Sequence, residues 1–239
     1  MSILIFSLIV FFGSFIAGLL GSLTGLGGGV VIISMLTLLF KVDIHYAIGA
    51  SLVSVIATSS GAAAAYVKEG FSNIRIGMFL EIATTVGAVV GAMIAIYSPT
   101  NIIAVIFGFV LIFSAAISMK KKNEVILQDG GGRLSKLLKM NSSYPTPEGD
   151  IKYHVQHVPT GFFMMAIAGI ISGLLGIGSG ALKVIAMDHF MKLPFKVSTT
   201  TSNFMIGVTA AASAGIYMER GYINPGLSMP VVLGVIFGA

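Results

Sequence analysis

Gly25-Leu26-Gly27-Gly28-Gly29 and Gly176-Ile177-Gly178-Ser179-Gly180 lie 151 positions apart, each inside almost unbroken apolar sequence and each followed by a short hydrophobic run. The same offset, without a gap, carries residues 11–88 onto 162–239. Phe11, Gly18, Lys41, Ser51, Thr58, Tyr66, Asn73 and Gly87 are among the positions that meet an identical residue, 19 of the 78 pairs in all. Roughly one pair in twelve would match by chance in so biased a composition, so the chain reads as two homologous repeats. A duplicated apolar unit with a glycine-interrupted helix in each copy is the pattern of a secondary transporter whose site lies between its halves.

Of the 239 residues, 56% are hydrophobic and 10% are charged. A soluble domain carries about 25% charge, so this chain has too little polar surface to cover a water-soluble globule. Several windows reach or approach the roughly 20 apolar residues that a bilayer crossing needs. The fold class is therefore all-α: a polytopic transmembrane helical bundle. Residues 1–20 lack a basic leader and a small-residue cleavage motif, so they are expected to remain as a first span. The chain has no cysteine, which excludes disulfides, thiolate metal sites and cysteine catalysis. Its net charge of +5 is no nucleic-acid footprint: half of its 14 Lys and Arg fall in one loop, where the positive-inside rule accounts for them.

The first repeat, residues 1–119, is expected to place spans at 2–21, 44–66, 75–97 and 101–119. The second, residues 158–239, places segments at 159–176, 197–217 and 225–239. The runs after the glycines, 30–40 and 181–191, rise only about 16–21 Å, less than the ~30 Å hydrocarbon core. They are half-helices, re-entrant segments or steeply placed short spans. Residues 120–157 form a basic cytoplasmic loop, a solvated linker in which Gly130-Gly131-Gly132 and Tyr144-Pro145-Thr146-Pro147 mark turns. Nothing in the second repeat matches 101–119, so the natural protein is expected to continue past residue 239. If each short segment crosses, a repeat has an odd number of crossings and the second is inverted; if it dips and returns, the repeats are parallel. With the basic loop inside, the crossing reading also puts Lys68, Arg75, Lys192 and Lys196 inside, which favours inverted repeats.

Glycine costs about 1 kcal/mol in a helix relative to alanine, so such clusters break the helix. A broken backbone in lipid is tolerated only where protein or a cavity receives it. The helix that restarts beyond the break begins with free N–H groups and the positive end of its dipole, which attract anions. Gly27, Gly28 and Gly29 in one repeat, and Gly178, Ser179 and Gly180 in the other, are thus candidate substrate-binding residues. Close helix packing through small residues is the alternative. Ser51, Thr201 and Ser202 are candidate hydroxyl donors, with N-capping or bonding to the i−4 carbonyl as the alternative. Lys183, a lone cation in an apolar segment, is the candidate charge for an anion; pairing with Asp188 or snorkelling are its alternatives. Glu81 is expected to pair with Arg75 at the membrane edge, or else to titrate during transport. Tyr66 and Tyr217 read as aromatic-belt residues and Asn73 and Asn224 as turn residues. His45, His154, His157 and His189 lack the spacing with acids that a metal centre or an enzyme site needs, so no metal, cofactor or catalytic group is expected.

These residues resemble the sulfite exporter TauE/SafE family of membrane transporters. The resemblance rests on Gly18 with Leu26-Gly27-Gly28-Gly29, on Ala50-Ser51, on Gly169 with the 176–180 motif, and on Thr201-Ser202. It covers the chain outside 120–157. Two departures are visible. The proline common after the glycines is absent at Ser34–Leu36 and Ala186–Asp188, and Ser179 stands in place of a glycine, with Lys183 close by. The resemblance implies transport of sulfite, sulfonates or related small oxyanions across the bacterial inner membrane. A related thiosulfate-importing family relies on cysteines, which this chain lacks. The expected partners are a small anionic substrate, a coupling proton or ion, and membrane lipid. A passive anion channel, or a transporter of another small organic anion, is the alternative.

Overall fold

The computed structural model describes residues 3–24, 27–68, 70–118, 132–146 and 149–239. In chain order the elements are α1 (Ile3–Thr24), α2 (Gly29–Ser34), α3 (Ile44–Lys68), α4 (Ile74–Tyr97), α5 (Thr100–Ser118), α6 (Arg133–Leu137), the hairpin β1 (Ser142–Tyr144) and β2 (Ile151–Tyr153), α7 (Val158–Leu175), α8 (Gly180–Ile185), α9 (Phe195–Glu219) and α10 (Pro225–Gly238). The short helices α2 and α8 each continue into a π-helical turn, Met35–Leu39 and Ala186–Phe190. Adding 151 to the bounds of α2, its π turn and α3 gives those of α8, its π turn and α9. Backbone that is left-handed at Lys41 (φ 53°) is left-handed again at Lys192 (φ 58°). Asn73 and Asn224 start α4 and α10 by accepting from the Ile76 and Gly226 N–H groups, the turn role expected of them. Among the described residues, windows in α1, α3, α4 and α7 are long and apolar enough to cross a membrane.

Lipid tails give helices no hydrophobic reason to associate, so close backbone approach must hold them. Gly87 and Gly91 of α4 face Gly169 and Gly173 of α7, one i, i+4 pair against another. A Cβ on Gly91 would lie 2.0 Å from Ile170 O, and one on Gly173 would lie 1.9 Å from Ala88 O. The α1–α10 contact is built the same way. A Cβ on Gly169 would lie 2.3 Å from Thr84 O, and one on Gly18 would lie 2.7 Å from Val235 O. The second pair is the first with 151 subtracted from one residue and added to the other. The central helices α3 and α9 run antiparallel. Gly49, early in α3, abuts Tyr222 O just past α9, and Thr200, early in α9, donates to Phe71 O (3.1 Å) just past α3.

Different groups gather at the two ends of this bundle. At one end, Asp43 accepts from the His45 N–H (2.9 Å) and the Thr100 hydroxyl (3.1 Å), the His45 ring stacks on Tyr222, and Arg220 donates to Tyr97 Oη. At the other, Asn73 Nδ2 donates to Met140 O (3.0 Å) and Tyr153 Oη (2.8 Å), Arg75 donates to Lys139 O, and the Gln156 N–H donates to Met191 O. The stretch read as a solvated linker is therefore folded from residue 132 onward, outside the undescribed residues 147–148. Met140, Tyr144, Tyr153 and Val155 are buried there, enough apolar surface to dock the hairpin against the bundle. Residues 119–131, including Gly130 and Gly131, lie outside the described residues. Tyr217 is also corrected: it is fully buried, and its hydroxyl reaches the Gly173 and Leu174 carbonyls (3.2 and 3.3 Å) instead of an interface. The side chain of Tyr66 lies outside the described residues.

The glycine seam predicts that Gly91→Leu destabilises the protein by about 2 kcal/mol or more, read as a fall in Tm, while Gly61→Ala, which meets nothing within 4 Å, leaves Tm within error. Equal effects contradict the seam. A second outcome concerns acid. Burial works against the Asp43 charge, but donation from the His45 N–H, the His45 ring and Thr100, together with the His45 charge, outweighs it and holds the carboxyl below its ordinary 3.8. Its contribution is present above pH 3.8 and is lost as pH falls below that value. Asp43→Asn is expected to flatten the acid decline of Tm; an unchanged decline contradicts the assignment.

Candidate functional site

The two glycine breaks meet at the centre of the molecule. Gly27 and Gly28 take φ of 78° and 68°, and Gly178 and Ser179 take 67° and 48°, a left-handed backbone that turns α1 into α2 and α7 into α8. Gly25 and Leu26 lie outside the described residues. A Cβ on Gly27 would sit 3.2 Å from Ile206 Cγ2 and 3.4 Å from Val55 Cγ1; one on Gly178 would sit 2.7 and 3.0 Å from the same two atoms. Val55 and Ile206 are themselves 151 residues apart, on α3 and α9. Both tips thus rest side by side on one pair of side chains. Gly29 fits against Ser51 Oγ and Gly176 O, where a Cβ would lie 2.6 and 3.3 Å away.

The hydroxyls expected to face a ligand are used inside the protein. Ser51 donates to Gly176 O (2.8 Å), Ser202 donates to Gly180 O (3.3 Å), and Thr201 Oγ1 accepts from the Asn73 N–H (3.0 Å). For Ser51 the reason is local: α7 stops at Gly176, which leaves that carbonyl without an i+4 amide, and in lipid it must find another donor. Ser179 differs. It is 2% exposed, and its Oγ has no hydrogen-bond partner. It lines a cavity of about 220 Å³ with Gly180, Ile177, Val30 of α2, and Val110 and Ser114 of α5. Beyond the two serines and the glycine backbone, this lining is apolar.

One turn along α8 from Ser179, Lys183 is fully buried. Its Nζ donates to Thr209 Oγ1 of α9 and stands 3.8 Å from Glu81 Oε2 of α4. Thr209 in turn donates to Glu81 Oε1 (2.6 Å), and Thr85 donates to the same oxygen (3.2 Å). The expected Glu81–Arg75 pair does not form, because Arg75 turns to Lys139 O. Lys183 does not pair with Asp188, which meets His189 at 3.4 Å. Glu81 reaches Lys183 because α4 packs along α9 of the other half, on which α8 also lies. Sequence reasoning missed Glu81 as a site residue, though a signal existed. The counterparts of Lys183 and Glu81 at the 151 offset are Ile32 and Val232. Glu81 in one repeat and Lys183 in the other are thus charges without a counterpart, and they have opposite sign. Among the described residues, no group of three or more His, Asp or Glu is placed to hold a metal.

The sequence also matches known proteins. The sequence pattern of the sulfite exporter TauE/SafE family matches residues 10–239. The chain belongs to this family. It is 30% identical over 231 residues to the probable membrane transporter protein YunE of Bacillus subtilis, a match covering 93% of this chain and 82% of the relative. The probable membrane transporter protein YdhB of the same bacterium is 26% identical over 226 residues, 94% and 84% of the two chains. An archaeal relative, the probable membrane transporter protein MJ0441 of Methanocaldococcus jannaschii, is 23% identical over 252 residues, covering 99% and 85%. No solved structure gives a significant match. The apolar helices of this TauE/SafE member are those of a multi-pass membrane transporter.

Removing one charge from the buried pair strands the other, whereas removing both does not. Lys183→Met is expected to destabilise this transporter by about 3 kcal/mol in thermal unfolding, and adding Glu81→Gln is expected to recover most of the loss. A double variant no better than the single one contradicts the pairing.

Proposed function

We propose that this chain is a secondary transporter or exporter of a small sulfur oxyanion or organosulfonate across the inner membrane. It is built from two inverted repeats, residues 1–119 and 158–239, joined by the loop 120–157. The observation that carries the reading is the meeting of the two glycine tips on Val55 and Ile206, with Lys183 one turn behind the second tip. The antiparallel run of α3 and α9, equivalent helices at the 151 offset, supports inversion. So does the gathering of Arg75, Lys139 and the Met191 turn at one end while Asp43 and Arg220 lie at the other. Positive charge near that first end supports its assignment to the cytoplasm.

The anion would enter by the cavity at Ser179 and be held by the Ser179 hydroxyl, the amides that open α8 and α2, and the Lys183 ammonium. Gly27, Gly28, Gly29, Gly178 and Gly180 let it approach the backbone. Ser51 and Ser202 hold the second tip in shape, and Thr201 holds the turn before α4. The sulfur-anion class comes from the family description; the names of the relatives carry no substrate. A sulfite ion or a sulfonate offers three oxygens to such donors. The sequence holds no nucleotide-binding loop, so the driving force is an ion or substrate gradient. Packed tips at mid-depth, closed over Val55 and Ile206, favour a carrier over an open anion channel, because permeation then needs them to move.

In proteoliposomes the protein is expected to give saturable flux of sulfite or a sulfonate such as taurine. Gly28→Leu, whose Cβ would lie 2.6 Å from Ala17 O, should abolish that flux while the protein still inserts. Ser179→Ala should raise the KM several-fold with little change in Tm, since that hydroxyl has no partner to lose. Flux that rises linearly with concentration, or near-normal kinetics in both variants, overturns the reading.

A further inference from the structure

Resting on the anion-carrier reading, we propose that Glu81 couples transport to protons: its carboxylate occupies Lys183 as an internal anion, and it takes up a proton when the transported anion replaces it. The geometry divides the two carboxylate oxygens. Oε1 is held by the Thr209 and Thr85 hydroxyls, whereas Oε2 is buried without a hydrogen bond, facing Lys183 from 3.8 Å. An ammonium has three N–H donors; Thr209 takes one, and the carboxylate stands beyond hydrogen-bond reach of the others. The pair is therefore formed but loosely engaged, with an open protonation position on the side that meets the cation.

Packing alone does not require these charges. The equivalent positions in the other half, Ile32 and Val232, do the same job with apolar side chains. Buried ion pairs seldom stabilise a protein more than well-packed apolar residues do, and ionisable residues at membrane depth mark transport paths. No other ionisable residue of the packed elements competes for Glu81 from mid-helix. Helix α7 has none, and α10 has none. On α9, Lys196 lies in the first turn and Tyr217 and Glu219 in the last turns. On α3, His45, Tyr46, Tyr66 and Lys68 lie in the end turns, as Arg75 and Tyr97 do on α4. Asp188 and His189, beyond α8, pair with each other.

The exchange conserves charge at the site. Before it, Lys183 carries Glu81 carboxylate; after it, Lys183 carries the substrate anion, and the proton sits on Glu81 Oε2 as a neutral acid. One proton enters with each anion, no bond to substrate forms or breaks, and two anions never share one ammonium. By linkage, an anion that brings a proton binds more tightly as pH falls, and binding takes a proton from solution.

Methanesulfonate is the suitable probe, because a sulfonate keeps its charge across the working range and any pH dependence belongs to the protein. With the purified wild-type protein, binding is measured by calorimetry between pH 6 and pH 8, in buffers of differing ionisation enthalpy that report proton uptake directly. Uptake approaching one proton per anion, and affinity at least tenfold weaker at pH 8 than at pH 6, are expected. Glu81→Gln should bind with no proton uptake and no pH dependence, and at pH 8 more tightly than wild type; Lys183→Gln should bind weakly throughout. Wild-type binding without proton uptake overturns the coupling and leaves the carrier reading standing, as does Glu81→Gln with an unchanged pH profile. Should Glu81→Gln fail to fold, the wild-type proton count decides alone. A wild type that neither binds nor moves methanesulfonate, sulfite or taurine overturns both.

Discussion

A main chain that stops being helical in the middle of hydrocarbon must hand its orphaned amides and carbonyls to some other part of the protein. That requirement organises this molecule. Two clusters of glycine break two helices, and neither break is tolerable alone in lipid. Here they shelter each other: both tips lie on Val55 and Ile206, and Ser51 of one half closes on the Gly176 carbonyl of the other. The interlocking continues outward. Helix α4 crosses α7 and α10 crosses α1 through glycine contacts that differ only by exchange of halves, so neither half is complete without its partner. The two-fold logic is strongest at the centre and is broken at Ser179, which corresponds to Gly28, and at the Glu81–Lys183 pair, which corresponds to Val232 and Ile32.

Much of this was legible in the sequence because it is local or periodic. The length of an apolar run decides whether a segment spans, and glycine clusters mark where helix formation fails. The 151 offset relates α2 and α3 to α8 and α9, and the segments expected at 181–191 and 197–217 lie within two residues of the observed 180–190 and Phe195–Glu219. Asn73 and Asn224 were legible as turn residues, and in the structure the same side chains cap α4 and α10. The hidden parts depend on which helix lies beside which. Glu81 seemed destined for Arg75, six residues away, but its partner sits on α8 because α4 packs along α9. Tyr217 looked interfacial from its place near a helix end, yet α7 covers it. Ser51, Thr201 and Ser202 were recognised as polar at the right depth, but hydroxyl residues do not declare whether they will serve a ligand or a stranded backbone group. The hairpin within 132–157 escaped notice because its buried Tyr144, Tyr153 and Val155 are few and scattered among charges and turns.

Membership of the TauE/SafE family and the geometry support each other without being the same argument. The family gives membrane transport, and its description names sulfite. The geometry gives a reason such a solute could be held at mid-depth: helix-opening amides, an unpartnered Ser179 hydroxyl and one buried ammonium. Under the proposal, the carboxylate beside that ammonium fills the resting site with the protein's own anion, so a substrate would have to compete for it, and that competition would supply selectivity and coupling together.

The central claim is that two copies of one unit face each other upside down across the membrane. A chain without cysteine allows the cleanest test. Lys41 and Lys192 are equivalent at the 151 offset, both are exposed, and both have left-handed backbone. Single cysteines introduced at each site, Lys41→Cys and Lys192→Cys, should react with a membrane-impermeant maleimide from opposite faces of sealed, oriented vesicles, Lys41→Cys from the outside and Lys192→Cys from the cytoplasmic side. Labelling of both from the same face would contradict the inverted pair and the shared midplane site built upon it.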